Sequence, residues 1–248
     1  MRAPLPRRLV AEALGTGLLV TVVVGSGAAA ERLSPTDTGL ALLENTIATA
    51  LGLGVLVVML APVSGAHLNP LVSAADWALG RTGRDGPPGR HLTAYAVVQV
   101  VAAVGGALLA NAMFHVPAGW ATTERSDWRL WLGEVVATAG LVTLVFALQR
   151  TGRQALAGPA VGAYIGAAYW FTSSTAFANP AVTVGRMMTD SFTGIAPSSV
   201  LPFVAAQVVG AAVGVVLVRV LYPYVAEPAG HPSAPRSPDL VNSTGRMA

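Results

Sequence analysis

Residues 62–80 read PVSGAHLNPLVSAADWALG and residues 174–190 read STAFANPAVTVGRMMTD. Both stretches are apolar and too short to cross a bilayer, and each carries Asn-Pro followed by a short helical pattern. Proline is pre-set for the first turn of a helix, where its missing N–H would have no intrahelical partner anyway. Asparagine just before it is a good N-cap. The two stretches align at Asn69 and Asn179, and the apolar runs around them repeat as well. Glu12-x3-Thr16 followed by Leu19-Val20-Thr21 matches Glu134-x3-Thr138 followed by Leu141-Val142-Thr143. Tyr95-x3-Gln99 matches Phe203-x3-Gln207.

Six longer apolar runs surround these stretches, roughly 9–30, 43–62, 92–113, 128–148, 155–173 and 199–222. Each is close to the ~20 residues that a membrane helix needs. Of the 248 residues, 53% are hydrophobic and 11% charged. A soluble domain carries about 25% charged residues, so an ordinary soluble enzyme is excluded. The first run carries Glu12 and several glycines where a cleaved leader would have a short leucine core and a small-residue cleavage site. The expected fold is an all-α membrane protein with six transmembrane helices and two re-entrant half-helices. The halves are 9–113 and 128–222, preceded by 1–8 and joined by 114–127. Three spans per half is an odd number, so the second half is inverted in the membrane, an arrangement that places a solute site between the halves.

All 15 basic residues are Arg, and they cluster between the spans without forming a nucleic-acid-binding stripe. Arg2, Arg7 and Arg8 precede span one; Arg81, Arg84 and Arg90 lie between spans two and three; Arg150 and Arg153 lie between spans four and five. That bias puts these segments, and both termini, in the cytoplasm. The opposite loops are mixed in sign: Glu31, Arg32 and Asp37 in one, Glu124, Arg125 and Asp127 in the next. Residues 223–248 are rich in Pro, Ser and Gly and are expected to be a disordered cytoplasmic tail. Cysteine is absent, and His67, His91, His115 and His231 lack metal-ligand spacing. No catalytic residue, metal or cofactor is expected. The expected partners are the lipid bilayer and small neutral solutes.

Asn69-Pro70-Leu71 and Asn179-Pro180-Ala181, set in the re-entrant segments of an inverted 3+3 repeat, resemble the motifs of the aquaporin and aquaglyceroporin family over residues ~9–222. The resemblance implies two half-helices whose positive ends meet at the membrane midplane. Their asparagine amides would offer two donors to a passing oxygen. It implies that carbonyls of Gly65, Ala66, His67, Thr175, Ala176 and Phe177 form an acceptor ladder, with the ring of His67 packed in the loop. It also implies that Glu12 and Glu134 anchor the loops and that Gln99 and Gln207 act as glue between helices. A mid-membrane carboxylate costs about 2.5–3.5 kcal/mol on insertion scales, so each glutamate should be bonded. Gly162-x3-Gly166 and Gly210-x3-Gly214 fit close helix approach. By resemblance the protein is a homotetramer. The use of Arg to the exclusion of Lys suggests a GC-rich bacterial genome, and hence a plasma membrane.

Water-selective members narrow the pore with aromatic side chains and an arginine directly after the second Asn-Pro-Ala. Here that position is Val182. Counting from the motifs, Thr49, Ala167 and Ala176 complete the filter, with a loop-length change able to shift Ala167 to Tyr164 or Trp170. The expected filter is wide and lacks the fixed charge. Arg186, seven residues past Asn179, is expected near the outer mouth. It either charges the vestibule there or snorkels to water and pairs with Asp190. Leu71 replaces the usual alanine of the first motif. The function expected is passive conduction of glycerol-like polyols and metalloid hydroxides such as arsenite, with water. Three alternatives are a water channel with an atypical filter, an inverted-repeat secondary transporter and a nonconducting structural relative.

Overall fold

The computed structural model describes residues 3–80 and 89–223. The tail from 224 onward, Arg2, Arg81, Arg84 and His231 lie outside the described residues. Among the described residues, six long helical segments form a bundle: α1 (Leu5–Leu33), α2 (Thr38–Ser64), α4 (Gly89–Phe114), α5 (Trp128–Arg150), α6 (Ala157–Phe171) and α8 (Pro197–Leu221). Two short helices, α3 (Pro70–Gly80) and α7 (Pro180–Gly185), start at the two Asn-Pro pairs. Most long helices exceed the apolar runs by a few residues, because caps and polar ends extend them. Asp37 accepts from Leu40 N at 2.9 Å and starts α2; Asp127 accepts from Arg129 N at 2.8 Å and starts α5. Gly65 ends α2 at φ +95°, a conformation glycine adopts without penalty.

Five of the six long helices are long and apolar enough by themselves to cross a membrane. The sixth, α6, has 15 residues, and a 3-10 turn over Gln154–Leu156 lengthens it at its start. Together these 18 residues rise about 28 Å, close to the ~30 Å of a bilayer core. The second half-helix is also short, and a 3-10 turn at Arg186–Met188 continues it.

The packing repeats with the sequence. In the first half α1 lies against α4 and α2; in the second α5 lies against α8 and α6. The halves join where α2 packs on α6 and α7 packs on α4. Small residues set the approach distances. A Cβ on Gly162 would strike the Ala50 carbonyl of α2. One on Gly210 would lie 2.5 Å from the Val135 carbonyl and 2.9 Å from the Thr138 Cβ, both on α5. Large apolar side chains such as Val55, Val97 and Leu201 point outward and are exposed, as a lipid-facing surface requires.

Because the obstacle at Gly210 includes backbone, α8 must shift to admit a side chain. Gly210→Leu is expected to cost about 1–3 kcal/mol and to lower the unfolding midpoint in detergent. Gly105→Ala, where nothing lies within 4 Å, is expected to leave the midpoint unchanged or slightly raised.

Candidate functional site

The site begins with two buried carboxylates. Glu12 and Glu134 are fully out of solvent. Glu12 accepts from His67 N at 3.0 Å, Leu68 N at 2.7 Å and Gln99 Nε2 at 2.8 Å. Glu134 accepts from Phe177 N at 2.9 Å, Ala178 N at 2.8 Å and Gln207 Nε2 at 2.6 Å. Each glutamine reaches on to a hydroxyl of the adjacent half-helix, Ser73 at 3.4 Å and Thr183 at 2.9 Å. Backbone that alternates into the left-handed region turns successive N–H groups toward one anion. Ala66 and Leu68, on either side of His67, and Ala176 and Ala178, on either side of Phe177, have φ between 47° and 50°. Such non-glycine residues cost roughly 1–2 kcal/mol each, which the charge-assisted bonds offset.

The loops deliver the asparagines. Asn69 Oδ1 accepts from Leu71 N at 2.9 Å; Asn179 Oδ1 accepts from Ala181 N at 3.0 Å and Val182 N at 3.4 Å. Their amide nitrogens cross between the halves. Asn69 Nδ2 donates to the Ala178 carbonyl at 2.8 Å, and Asn179 Nδ2 donates to the Leu68 carbonyl at 2.7 Å. An amide nitrogen carries two hydrogens, so each asparagine keeps one donor for a solute. The sequence pattern contained no sign of this exchange, which uses the carbonyls of Leu68 and Ala178.

A cavity of about 420 Å³ runs past both asparagines. Arg8, Asp76, Gln149 and Gln154 line one end; Thr49, Tyr169 and Arg186 line the other. Gly65, Ala66, His67, Ala176 and Phe177 are on its wall, whereas Thr175 is half-buried and is not. Pro70, Leu71, Pro180 and Ala181 are off the wall too, so the bulk of Leu71 is taken up by the core. The His67 ring is held in the loop: Nδ1 lies 3.0 Å from Ser73 Oγ, Nε2 lies 3.7 Å from Asp76, and Tyr95 meets it edge-on.

Of the four expected filter positions, Thr49, Ala176 and Val182 line the cavity. Ala167 does not: it is exposed on the outer face of α6. The α6 residues on the wall are Ala157, Val161, Ile165 and Tyr169, a period of four that puts Ala167 on the opposite side. Tyr164 is turned away as well, donating to the Ala137 carbonyl at 3.0 Å, and Trp170 is exposed. Tyr169 is the α6 residue on the wall beside Thr49, its hydroxyl donating to Thr49 Oγ1 at 3.3 Å. It lies ten residues before Asn179 where the family count gives twelve.

Arg186 departs from the snorkelling expectation. It is 3% exposed and on the cavity wall. Asp190 is occupied elsewhere, accepting at 2.9 Å from both the N–H and the hydroxyl of Thr122. Those bonds hold its carboxyl below the ordinary aspartate range. The loop from the middle of the chain folds over this end, with Ala121 N donating to Met187 O at 2.8 Å and Ala196 N to Thr123 O at 2.8 Å.

Comparison with known proteins agrees with this geometry. The model of the major intrinsic protein family matches residues 2–173. The chain belongs to that family, whose members are membrane channels for small solutes. It is 48% identical over 216 residues to the aquaglyceroporin AqpS of Rhizobium meliloti (strain 1021), covering 87% of this chain and 90% of that one. It is 32% identical over 190 residues to the propanediol uptake facilitator PduF of Citrobacter freundii, covering 67% and 68%. The fold matches the X-ray structure of the aquaglyceroporin from Plasmodium falciparum with a TM-score of 0.68 at 19% identity, over 87% of this chain and 96% of that one.

Two outcomes follow from the placement of these residues. Glu134→Gln removes the charge that two backbone N–H groups share, and is expected to cost about 1.5–3 kcal/mol of stability per bond lost. It should appear as reduced monodisperse protein after mild heating, with no ion dependence of flux in whatever survives. In paired solute-flux assays, Tyr169→Ala should change the glycerol-to-water permeability ratio, whereas Ala167→Trp should leave it within about twofold, since a lipid-facing ring touches no solute.

Proposed function

We propose that this channel passes small polyols such as glycerol, together with water, and that neutral metalloid hydroxides such as arsenite share the route. The observation that carries this is Val182, an aliphatic side chain on the cavity wall at the start of α7, next to the asparagine donors. A guanidinium there would narrow the bore and bring up to five N–H donors. Valine leaves room and an apolar patch for a carbon backbone, while the asparagine amides and loop carbonyls serve the hydroxyls. The names of the relatives, an aquaglyceroporin and a propanediol facilitator, agree with a hydroxylated cargo.

The water-channel alternative draws support from Tyr169 and Arg186, an aromatic ring and a cation on the same wall. The transporter alternative is disfavoured by Glu12 and Glu134, whose oxygens already accept from the loops and glutamines. The same bonds fit the loop-anchoring role.

Arg8, Arg150 and Arg219 gather at one end of the bundle. Arg150 donates to Tyr222 O and Arg219 to Ala78 O, which ties the ends of α5, α8 and α3 together there. We read that end as cytoplasmic under the positive-inside rule, with both termini on that side, and the membrane as a plasma membrane. The exposed apolar flanks suit a homotetramer with one pore per subunit.

Val182→Arg reads out the solute class. In proteoliposomes it should cut glycerol and arsenite flux by roughly tenfold or more and spare water relative to both. A wild-type channel that passes water alone would favour the water-channel alternative.

A further inference from the structure

The charged side chains on the cavity wall, among the described residues, are Arg8, Asp76 and Arg186. The first two share an end. Arg8 stacks over Tyr95 at 5.2 Å, Tyr95 meets the His67 ring at 5.5 Å, and His67 faces Asp76 at 3.7 Å. Cation and anion are therefore grouped in one cluster. Arg186 stands at the far end without a carboxylate partner among the described residues. Glu134, the nearest acid in the chain of contacts, is occupied by its two backbone donors and Gln207.

The seat of this cation is built. Its Nε–H donates to the Thr193 carbonyl, and its guanidinium carbon lies 3.4 Å from the centroid of the Phe177 ring. Phe177 is itself fixed on both sides of its backbone and ring. Its N–H is bound by Glu134 at 2.9 Å, and its ring packs edge-on against Phe203 at 5.2 Å. Arg125 approaches the same ring at 5.1 Å, with its Nε donating to Gly194 O, but it is not on the cavity wall. The terminal nitrogens of Arg186 make no hydrogen bond to the described residues, and they are not sealed away from the cavity. A planar cationic donor is thus held over an aromatic face with its free N–H groups left for whatever occupies the pore.

We infer that Arg186 is a specificity-determining residue of this channel: it adds a barrier to cations at the end of the cavity lined by Thr49 and Tyr169, and it is the first donor that an incoming hydroxyl meets there. It lies four residues beyond Val182, one helical turn along the same short segment. The segment thereby separates two properties that a single side chain at 182 would combine. The wall beside the asparagines carries the aliphatic Val182, and the positive charge stands on a separate residue, turned in against Phe177. A neutral polyol exchanges a water contact for a guanidinium contact and proceeds. A cation meets an unpaired charge in a poorly screened site.

The inference rests on the channel reading, and the experiment separates the two. Wild type, Arg186→Gln, Arg186→Lys and the double variant Val182→Arg with Arg186→Gln are reconstituted in vesicles. Each is assayed for glycerol flux by light scattering and for sodium and proton leak by trapped dyes. Arg186→Gln should raise cation leak at least about tenfold while glycerol still passes. Arg186→Lys should stay near wild type, and the double variant should become ion-tight again while glycerol slows. Ion leak and glycerol-to-water ratio both unchanged in Arg186→Gln would overturn the inference and leave Arg186 as a clip on the Thr193 loop. A wild type that passes no neutral solute would instead overturn the channel reading. Should the glutamine variant not assemble, external phenylglyoxal decides on the unaltered protein. Glycerol flux blocked in wild type and spared in Arg186→Lys supports the inference; undiminished flux contradicts it.

Discussion

A carboxylate taken wholly out of water must find its hydrogen bonds inside the protein, and Glu12 and Glu134 find theirs in the loops they were placed to shape. Each binds two consecutive backbone N–H groups, in loops that pass through the left-handed region at Ala66, Leu68, Ala176 and Ala178. The burial cost of the charge and the strain of the turns offset one another through the same bonds. Removing either partner leaves the other exposed to its full penalty. The half-helices, the asparagines and the cavity wall all take their positions from this exchange.

The asparagines then tie the halves into one pore. Each caps its own half-helix with its oxygen and hands one amide hydrogen to a carbonyl of the opposite loop. The remaining hydrogens can serve solute without loosening either loop. Two helix N-termini brought together repel cations, and the reciprocal bonds hold them in place against that repulsion. A bore shaped by backbone bonds does not depend on the side chains that face it. On the proposed reading, Val182, Tyr169 and Arg186 set the selectivity while the frame stays fixed.

Much of this frame was legible in the sequence because it is written twice. Paired Asn-Pro, Glu and Gln in the same order identify the inverted repeat, and a buried Glu that must be bonded points to a nearby backbone. The single residues that break the repeat were harder. Ala167 was placed by counting back from Asn179, but α6 is shortened and the register of its wall-facing residues is fixed by packing on α2, which a count does not contain. Arg186 looked like a snorkelling residue because seven residues of ideal helix would carry it to water. In the structure α7 ends at Gly185 and continues as a 3-10 turn, and the loop over 115–127 closes that end, so the side chain turns in onto Phe177. The crossing of Asn69 to Ala178 was invisible for a similar reason: no local pattern shows which carbonyl lies across the interface.

The central claim is that a fixed, carboxylate-braced pore passes small neutral solutes down their gradients. Its most direct measurement is glycerol movement into vesicles with and without imposed sodium and proton gradients, over a wide range of glycerol concentrations. The account predicts a rate proportional to the glycerol gradient, the same with every ion gradient collapsed, and no accumulation beyond the outside concentration. Saturating uptake that concentrates glycerol when an ion gradient is applied would contradict it, and would make Glu12 and Glu134 parts of a coupling site.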